Sequence, residues 1–337
     1  MPTEWHTESE AYFCCMTQLF RTLVRSASPQ SAVLLSLGAS ALLAAGGILL
    51  GLTQDSLAVR TNGVVAAIDI VNALVLVAAV NRSIRTPDYV FNYGYGKYES
   101  LALLLSATLL AVTLGFTVYQ SVVDYMHHIT TQNYAVLTLY SAVSLAVVSS
   151  ISRIQTRRAQ RVAMPMVEYD ADVWRLDTMT ELCVVIGLSI GWAASELQYH
   201  SVARISDAAS ALAVVGIALR MPIRHGRRAL DQLLDRTLPD EVQYDILGVV
   251  SDNVHRFCQF KSVHTRQSGK DMFVEIDVVM PYDFTFEESY PVEREMNAAI
   301  TRKFSNAITR IYAVPCPRDC VRDGKSYCPV KLHRDQQ

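Results

Sequence analysis

Asn62-Gly63-Val64-Val65-Ala66-Ala67-Ile68-Asp69-Ile70 lies inside a long apolar run and carries one formal charge, Asp69. A carboxylate at bilayer depth is expensive, and such residues face a bundle interior, a cavity or an ion. Asn62 sits seven residues earlier, two helical turns back on nearly the same face. An acidic and an amide oxygen stacked on one membrane helix are half of a cation site. The other half has to come from another helix.

The composition supports a membrane setting. The 337 residues are 51% hydrophobic with a mean hydropathy of +0.20, and the apolar residues concentrate before about residue 222. That is too apolar for an ordinary soluble protein of this size. A net charge of -2 gives no basic bias toward nucleic acid. There is no Gly-rich phosphate loop, nucleophile elbow or dinucleotide fingerprint, so the common signatures of an enzyme are missing. The 7 cysteines are an odd number, and Cys183 lies within an apolar run, unlike a secreted disulfide framework. The polar and charged first thirty residues do not follow the order of a cleavable signal peptide.

Four regions follow from the pattern. Residues 1–30 read as a cytoplasmic lead-in, in which Trp5, Phe13, Phe20 and Leu23 with Arg21 and Arg25 suit an interfacial amphipathic helix. Cys14-Cys15 there reads as a palmitoylation site or as two reduced thiols. Residues 31–224 hold six apolar segments: Ser31–Thr53, Ser56–Asn81, Ser100–Val123, Tyr134–Ile154, Asp172–Ala194 and Val202–Ile223. Each is roughly 20 residues, enough to cross about 30 Å of hydrocarbon as a helix. Arg82, Arg85 and Lys97, then Arg153, Arg157, Arg158 and Arg161, then Arg220, Arg224, Arg227 and Arg228 fall on one side. This asymmetry places both termini in the cytoplasm of a multi-pass integral membrane protein. Residues 225–315 read as a small α+β cytoplasmic layer, helix–strand–strand–helix–strand. In it, Val274, Ile276, Val278 and Met280 alternate with Glu275 and Asp277. Residues 316–337 form an irregular tail.

Three stretches carry a resemblance to the cation diffusion facilitator family over roughly residues 30–315. Phe91-Asn92-Tyr93-Gly94-Tyr95-Gly96-Lys97-Tyr98-Glu99-Ser100 resembles the family's loop between helices two and three. Leu233-Leu234-Asp235-Arg236-Thr237-Leu238-Pro239-Asp240-Glu241 resembles the lead into its cytoplasmic domain, and Thr265-Arg266-Gln267-Ser268-Gly269 that domain's first hairpin. The resemblance implies six transmembrane helices and a ferredoxin-like cytoplasmic domain. It implies a homodimer that exports divalent metal ions against protons, with the ion between helices two and five. The cargo is a divalent cation, the other partners are protons and membrane lipid, and no cofactor is implied.

The family places His or Asp four residues before an Asp on each of those helices. The matching positions here are Val65 and Asp69 on helix two, and Val173 and Asp177 on helix five. A second register puts Glu168 and Asp172 at the helix-five positions. The Asp177 register is preferred, since it lies closer to the uninterrupted apolar run, and it leaves Glu168, Asp170 and Asp172 as an acidic cytoplasmic mouth or a solvated helix cap. The two missing ligands have oxygen substitutes nearby. Glu181 is four residues after Asp177 on the same helical face, and Asn62 shares a face with Asp69. The expected metal site is therefore Asn62, Asp69, Asp177 and Glu181. Oxygen donors suit hard ions such as Mn²⁺, with Fe²⁺ or Co²⁺ also compatible, whereas Zn²⁺ favours His and Cys. Alternatively, Glu181 pairs with Arg175 or Arg204.

The two valines also motivate a rival reading, a transport-deficient member serving as a partner subunit or metal-sensing scaffold. The loop 92–97 has no acid before Lys97 and reads as a structural turn. Asp207 reads as a proton relay or an interfacial hydrogen-bonded acid. In the tail, Cys316, Cys320 and Cys328 with His333 could hold a structural metal, or be incidental cytosolic thiols.

Overall fold

The computed structural model describes residues 28–53, 57–126, 134–162, 164–197, 213, 215–282 and 284–317. The amphipathic lead-in, Cys14-Cys15, Arg204, Asp207, most of the sixth apolar segment and the tail beyond residue 317 lie outside these. The chain divides into two compact units, which meet in sequence between Leu230 and Asp231.

The first unit is helical. Helices α1 (Pro29–Thr53), α2 (Leu57–Ser83), α3 (Lys97–Met126), α4 (Tyr134–Val162) and α5 (Pro165–Glu196) are followed by α6 (Arg220–Leu233). Among the described residues, three of them are long and apolar enough to cross a membrane, over Pro29–Gly46, Lys97–Tyr119 and Pro165–Ala194. The helices outrun the apolar segments on which they are built. α4 continues past Ile154 to Val162, and α5 starts at Pro165 rather than near Asp172. Proline suits the first helical position, where its missing N–H breaks no bond and its fixed φ is already helical. Nearly two extra turns of α5 thus pack against α4, the helix it touches most extensively.

Leu76, Val80, Leu103, Met166 and Tyr169 form a core in which α2, α3 and the start of α5 meet. Glu99, 1% exposed, accepts a hydrogen bond from the Met166 backbone N–H at 2.7 Å, tying the start of α3 to that of α5. The loop between α2 and α3 is a braced turn. Asp88 accepts from the backbone N–H groups of Val90 and Phe91 and from the Tyr95 hydroxyl, at 2.9, 2.7 and 2.6 Å. The Tyr95 bond, with the backbone donors behind it, holds the Asp88 carboxyl below the usual carboxylate range. Gly94 takes φ +80°, a left-handed conformation that glycine adopts without steric cost.

The second unit is a mixed three-stranded sheet with helices, in the order α7 (Asp240–Asp252), β1 (Gln259–Ser268), β2 (Asp271–Met280), α8 (Phe286–Lys303) and β3 (Ala307–Pro315). A short 3₁₀ turn, Val254–Arg256, follows α7. β1 and β2 form an antiparallel hairpin turning at Gly269, φ +60°, and β3 lies parallel to β2 on its other side, with Ile276 opposite Ile311. As the alternation predicts, Val274, Ile276 and Val278 are fully buried, and they pack with Ile246, Met296 and Ile300 of the helices. α8 opens with a capping box, in which Thr285 and Glu288 each bond the other's backbone.

The two features should differ in cost. Ile276→Ala should destabilise the second unit by about 2–5 kcal/mol, and Thr285→Ala by about 1 kcal/mol. Urea unfolding followed by circular dichroism checks both. Equal effects would contradict the placement of the core on β2.

Candidate functional site

Asp69 on helix two and Asp177 and Glu181 on helix five line one cavity of about 300 Å³ within the first unit. Helical phase explains its lining. α2 contributes Asp69, Asn72, Ala73 and Leu76, at steps of three and four from the aspartate. α5 contributes Asp170, Val173, Trp174, Asp177, Thr180 and Glu181, a stripe with the same spacing. α1 adds Ser36 and Ser40, and α4 adds Tyr140, Ser144 and Val148. Asp69, Asp177 and Glu181 therefore share one space. The Asn62 side chain lies outside the described residues, as does that of Val65. Val173 lies on the wall.

Asp69 is exposed and Asp177 and Glu181 are half-buried, with Ser144 of α4 on the same cavity wall. Glu181 does not pair with Arg175, whose guanidinium is 3.3 Å from Asp172 instead. Among the described residues, no three His, Cys, Asp or Glu side chains converge closely enough to hold one ion.

The acidic mouth expected from Glu168, Asp170 and Asp172 does not form. Because α5 begins at Pro165, these residues already sit on a helix, and its phase sends them in different directions. Asp170 is 4% exposed and lines the cavity. Its Oδ2 accepts from Ser36 Oγ at 2.5 Å and from Gln155 Nε2 at 2.9 Å, and the buried Arg158 of α4 attracts it. Gln155 Nε2 also reaches Ser36 Oγ at 2.5 Å and the Ala32 carbonyl at 2.8 Å, and Trp174 Nε1 donates to Ser36 Oγ at 2.8 Å. Glu168 and Asp172 turn away from the cavity and find partners on α6. Asp172 is 3.1 Å from His225 Nε2 of α6, and Glu168 is 3.4 Å from Arg228 of α6. His225 is 3% exposed and meets the Tyr169 ring edge-on.

Sequence reasoning missed the place of Asp170, and with it Asn72, Ser36 and Tyr140. A signal existed for Asp170. It precedes Asp177 by seven residues, the same separation that links Asn62 to Asp69. Nothing in the sequence brought α1 to the site, since a serine among small apolar residues reads equally well as helix packing.

Chemically, four carboxylates line the cavity, and no Lys, Arg or His is among its lining residues. Its donors are carboxylate, hydroxyl and amide oxygens. Such a space attracts cations and is poor in the nitrogen and sulfur donors that softer metals prefer.

Comparison with known proteins points the same way. A family described as the cation efflux transmembrane domain matches residues 33–234, and one described as the cation efflux protein cytoplasmic domain matches residues 238–312. A cation-efflux pump FieF of Citrobacter koseri is 26% identical over 273 residues, covering 77% of this chain and 83% of its own length. One from Shigella flexneri serotype 5b is 27% identical over 259 residues, covering 74% and 80%.

The charge of the cavity can be probed directly. In Thr180→Cys, a small cationic thiosulfonate should label the new thiol faster than an anionic one of equal size, by on the order of tenfold or more. Equal rates at low salt would mean that the carboxylates do not govern access.

Proposed function

The chain belongs to the cation efflux, or cation diffusion facilitator, family of membrane transporters, and on that premise we propose that it exports a divalent cation from the cytoplasm in exchange for protons. A hard ion such as Mn²⁺, or Fe²⁺ or Co²⁺, is preferred over Zn²⁺. Members of this family are transporters, not enzymes. The protein works as a homodimer with six spans per subunit and both termini in the cytoplasm.

The observation that carries the ion preference is the lining of the cavity: oxygen donors, four of them carboxylates, with no imidazole or thiol. Hard cations bind through such oxygens at about 2.0–2.6 Å. In this reading Asp69 of α2 and Asp177 of α5 hold the ion from opposite helices. Glu181 supplies an oxygen one turn along α5, and Asn62 supplies one two turns before Asp69. Val65 and Val173 stand where other members place ligands, which removes donors and makes Glu181 and Asn62 necessary. Protons returning to the vacated carboxylates neutralise them when the ion leaves, so opposing fluxes share the same oxygens.

A second reading has an observation of its own. The described acids are not gathered into a closed coordination shell, which fits a subunit that senses or scaffolds rather than transports. The tail thiols belong with either reading. Cys316 lies just after β3, its backbone N–H bonded to the Met280 carbonyl at 2.9 Å. With Cys320, Cys328 and His333 it would supply a Cys₃His set for a structural metal.

Purified protein in proteoliposomes should move Mn²⁺ against a proton gradient faster than Zn²⁺. Asp69→Ala and Asp177→Ala should each abolish this movement, and Glu181→Ala should weaken apparent affinity. Transport untouched by both aspartate substitutions would remove the site. A wild type that moves ions only beside a ligand-complete relative would favour the scaffold. For the tail, metal analysis of the full chain should find an ion that Cys316→Ser loses, and metal-free wild type rules the tail site out.

A further inference from the structure

The buried carboxylate of Asp170 is not accounted for by the cation ligands, and its surroundings are unlike those of the other cavity acids. Asp69 and Asp177 come from the two helices expected to carry the cargo. Asp170 instead joins a polar cluster assembled from three helices. Ser36 comes from α1, Gln155 from α4, and Asp170 and Trp174 from α5. Every donor–acceptor pair in the cluster crosses a helix–helix boundary. In a bilayer, helices gain little from apolar contact with one another, because lipid tails offer the same contact. Interhelical hydrogen bonds then decide where a helix sits.

The cluster is placed where such control matters. Asp170, Trp174, Asp177 and Glu181 lie at steps of four, three and four along α5, all on the cavity stripe. Fixing Asp170 and Trp174 fixes the rotation of α5 and hence the direction of the next two acids. α1 presents no acid to the cavity, yet Ser36 is the group on which Asp170, Gln155 and Trp174 all converge, and it is 3% exposed. A third bond from α4 to α1 runs alongside those of Gln155, Arg158 Nη1 to the Ser31 carbonyl at 3.0 Å.

We infer that Asp170 is a positioning residue for transport: with Ser36 and Gln155 it clamps α1 and α4 to α5, and so holds Asp177 and Glu181 on the cavity. The inference rests on the proposed cargo site, since it assigns Asp170 to act through Asp177 and Glu181. What the clamp needs from Asp170 is an acceptor oxygen of the right shape, not a charge. Asparagine supplies that oxygen and alanine does not.

The test compares Asp170→Asn with Asp170→Ala in two measurements. The first is independent of any cargo. Spin labels on Leu42→Cys of α1 and Met179→Cys of α5, both exposed positions, report the distance between these helices by pulsed electron paramagnetic resonance. The native cysteines are replaced by serine beforehand. Wild type and Asp170→Asn should share one narrow distribution, and Asp170→Ala, Ser36→Ala and Gln155→Leu should each shift or broaden it. An unchanged distribution in Asp170→Ala overturns the inference.

The second measurement is Mn²⁺ transport in proteoliposomes. Asp170→Ala should raise the apparent KM by about tenfold or more with a smaller change in maximal rate, and Asp170→Asn should restore it to within about threefold of wild type. If asparagine is as defective as alanine while the helix distance is preserved, the charge itself is required, and Asp170 is a cargo or proton group rather than a positioning one. A wild type that moves no cation refutes the proposed function, and the helix-distance measurement still decides the inference.

Discussion

Hydration lost by a carboxylate on entering a bilayer has to be replaced by a proton, a cation or several hydrogen-bond donors, because hydrocarbon offers none of these. The first unit is arranged around that requirement. Glu168 and Asp172, at the start of α5, are met by Arg228 and His225 of α6. Asp170 is met by hydroxyl and amide donors. Asp69 and Asp177 face a space with no basic side chain on its walls. α5 thus carries acids in three different settings. The ones without a basic partner in the wall are those that a mobile cation can compensate, which is what a transporter has to provide.

The helix ends decide which acid receives which treatment. A helix that began near Asp172 would leave Glu168 and Asp170 in water, where their charge is cheap. Beginning at Pro165 gives α5 nearly two more turns, and the 3.6-residue repeat then distributes neighbours in sequence over different faces. Asp170 points inward, while Glu168 and Asp172 turn toward α6. Glu99 contributes to the same placement, because its bond to the Met166 N–H satisfies a donor in the first turn of α5 that has no partner within the helix.

Much of this was legible in the residues. A charge inside an apolar run marked Asp69, the resemblance to the family's helix five pointed to Asp177, and the four-residue step brought in Glu181. Strict alternation around Ile276 gave the central strand, and the resemblance of Thr265-Arg266-Gln267-Ser268-Gly269 to the family's first hairpin gave the turn. Asp170 was misplaced because hydropathy locates the apolar part of a helix and is blind to its polar ends. The signal that would have corrected this was Pro165, a good first residue for a helix. Ser36 and Gln155 were illegible for a different reason. Their importance comes from meeting across helices, and one chain's periodicity describes each helix separately. Residues that pair within a helix or along a strand can be read from spacing, whereas residues that pair between helices become visible only once the packing is known.

The side-chain amide of Gln155 has two hydrogens, and three acceptors stand within reach of its nitrogen: the Ala32 carbonyl, Ser36 Oγ and Asp170 Oδ2. They cannot all be served fully at once. At least two hydrogen-bond patterns therefore compete, and they differ by no more than the net worth of one exchanged bond, about 1 kcal/mol. A clamp with near-degenerate patterns holds its helices firmly in either one and passes between them cheaply. The meeting of α1, α4 and α5 is therefore a joint with more than one hydrogen-bonded arrangement.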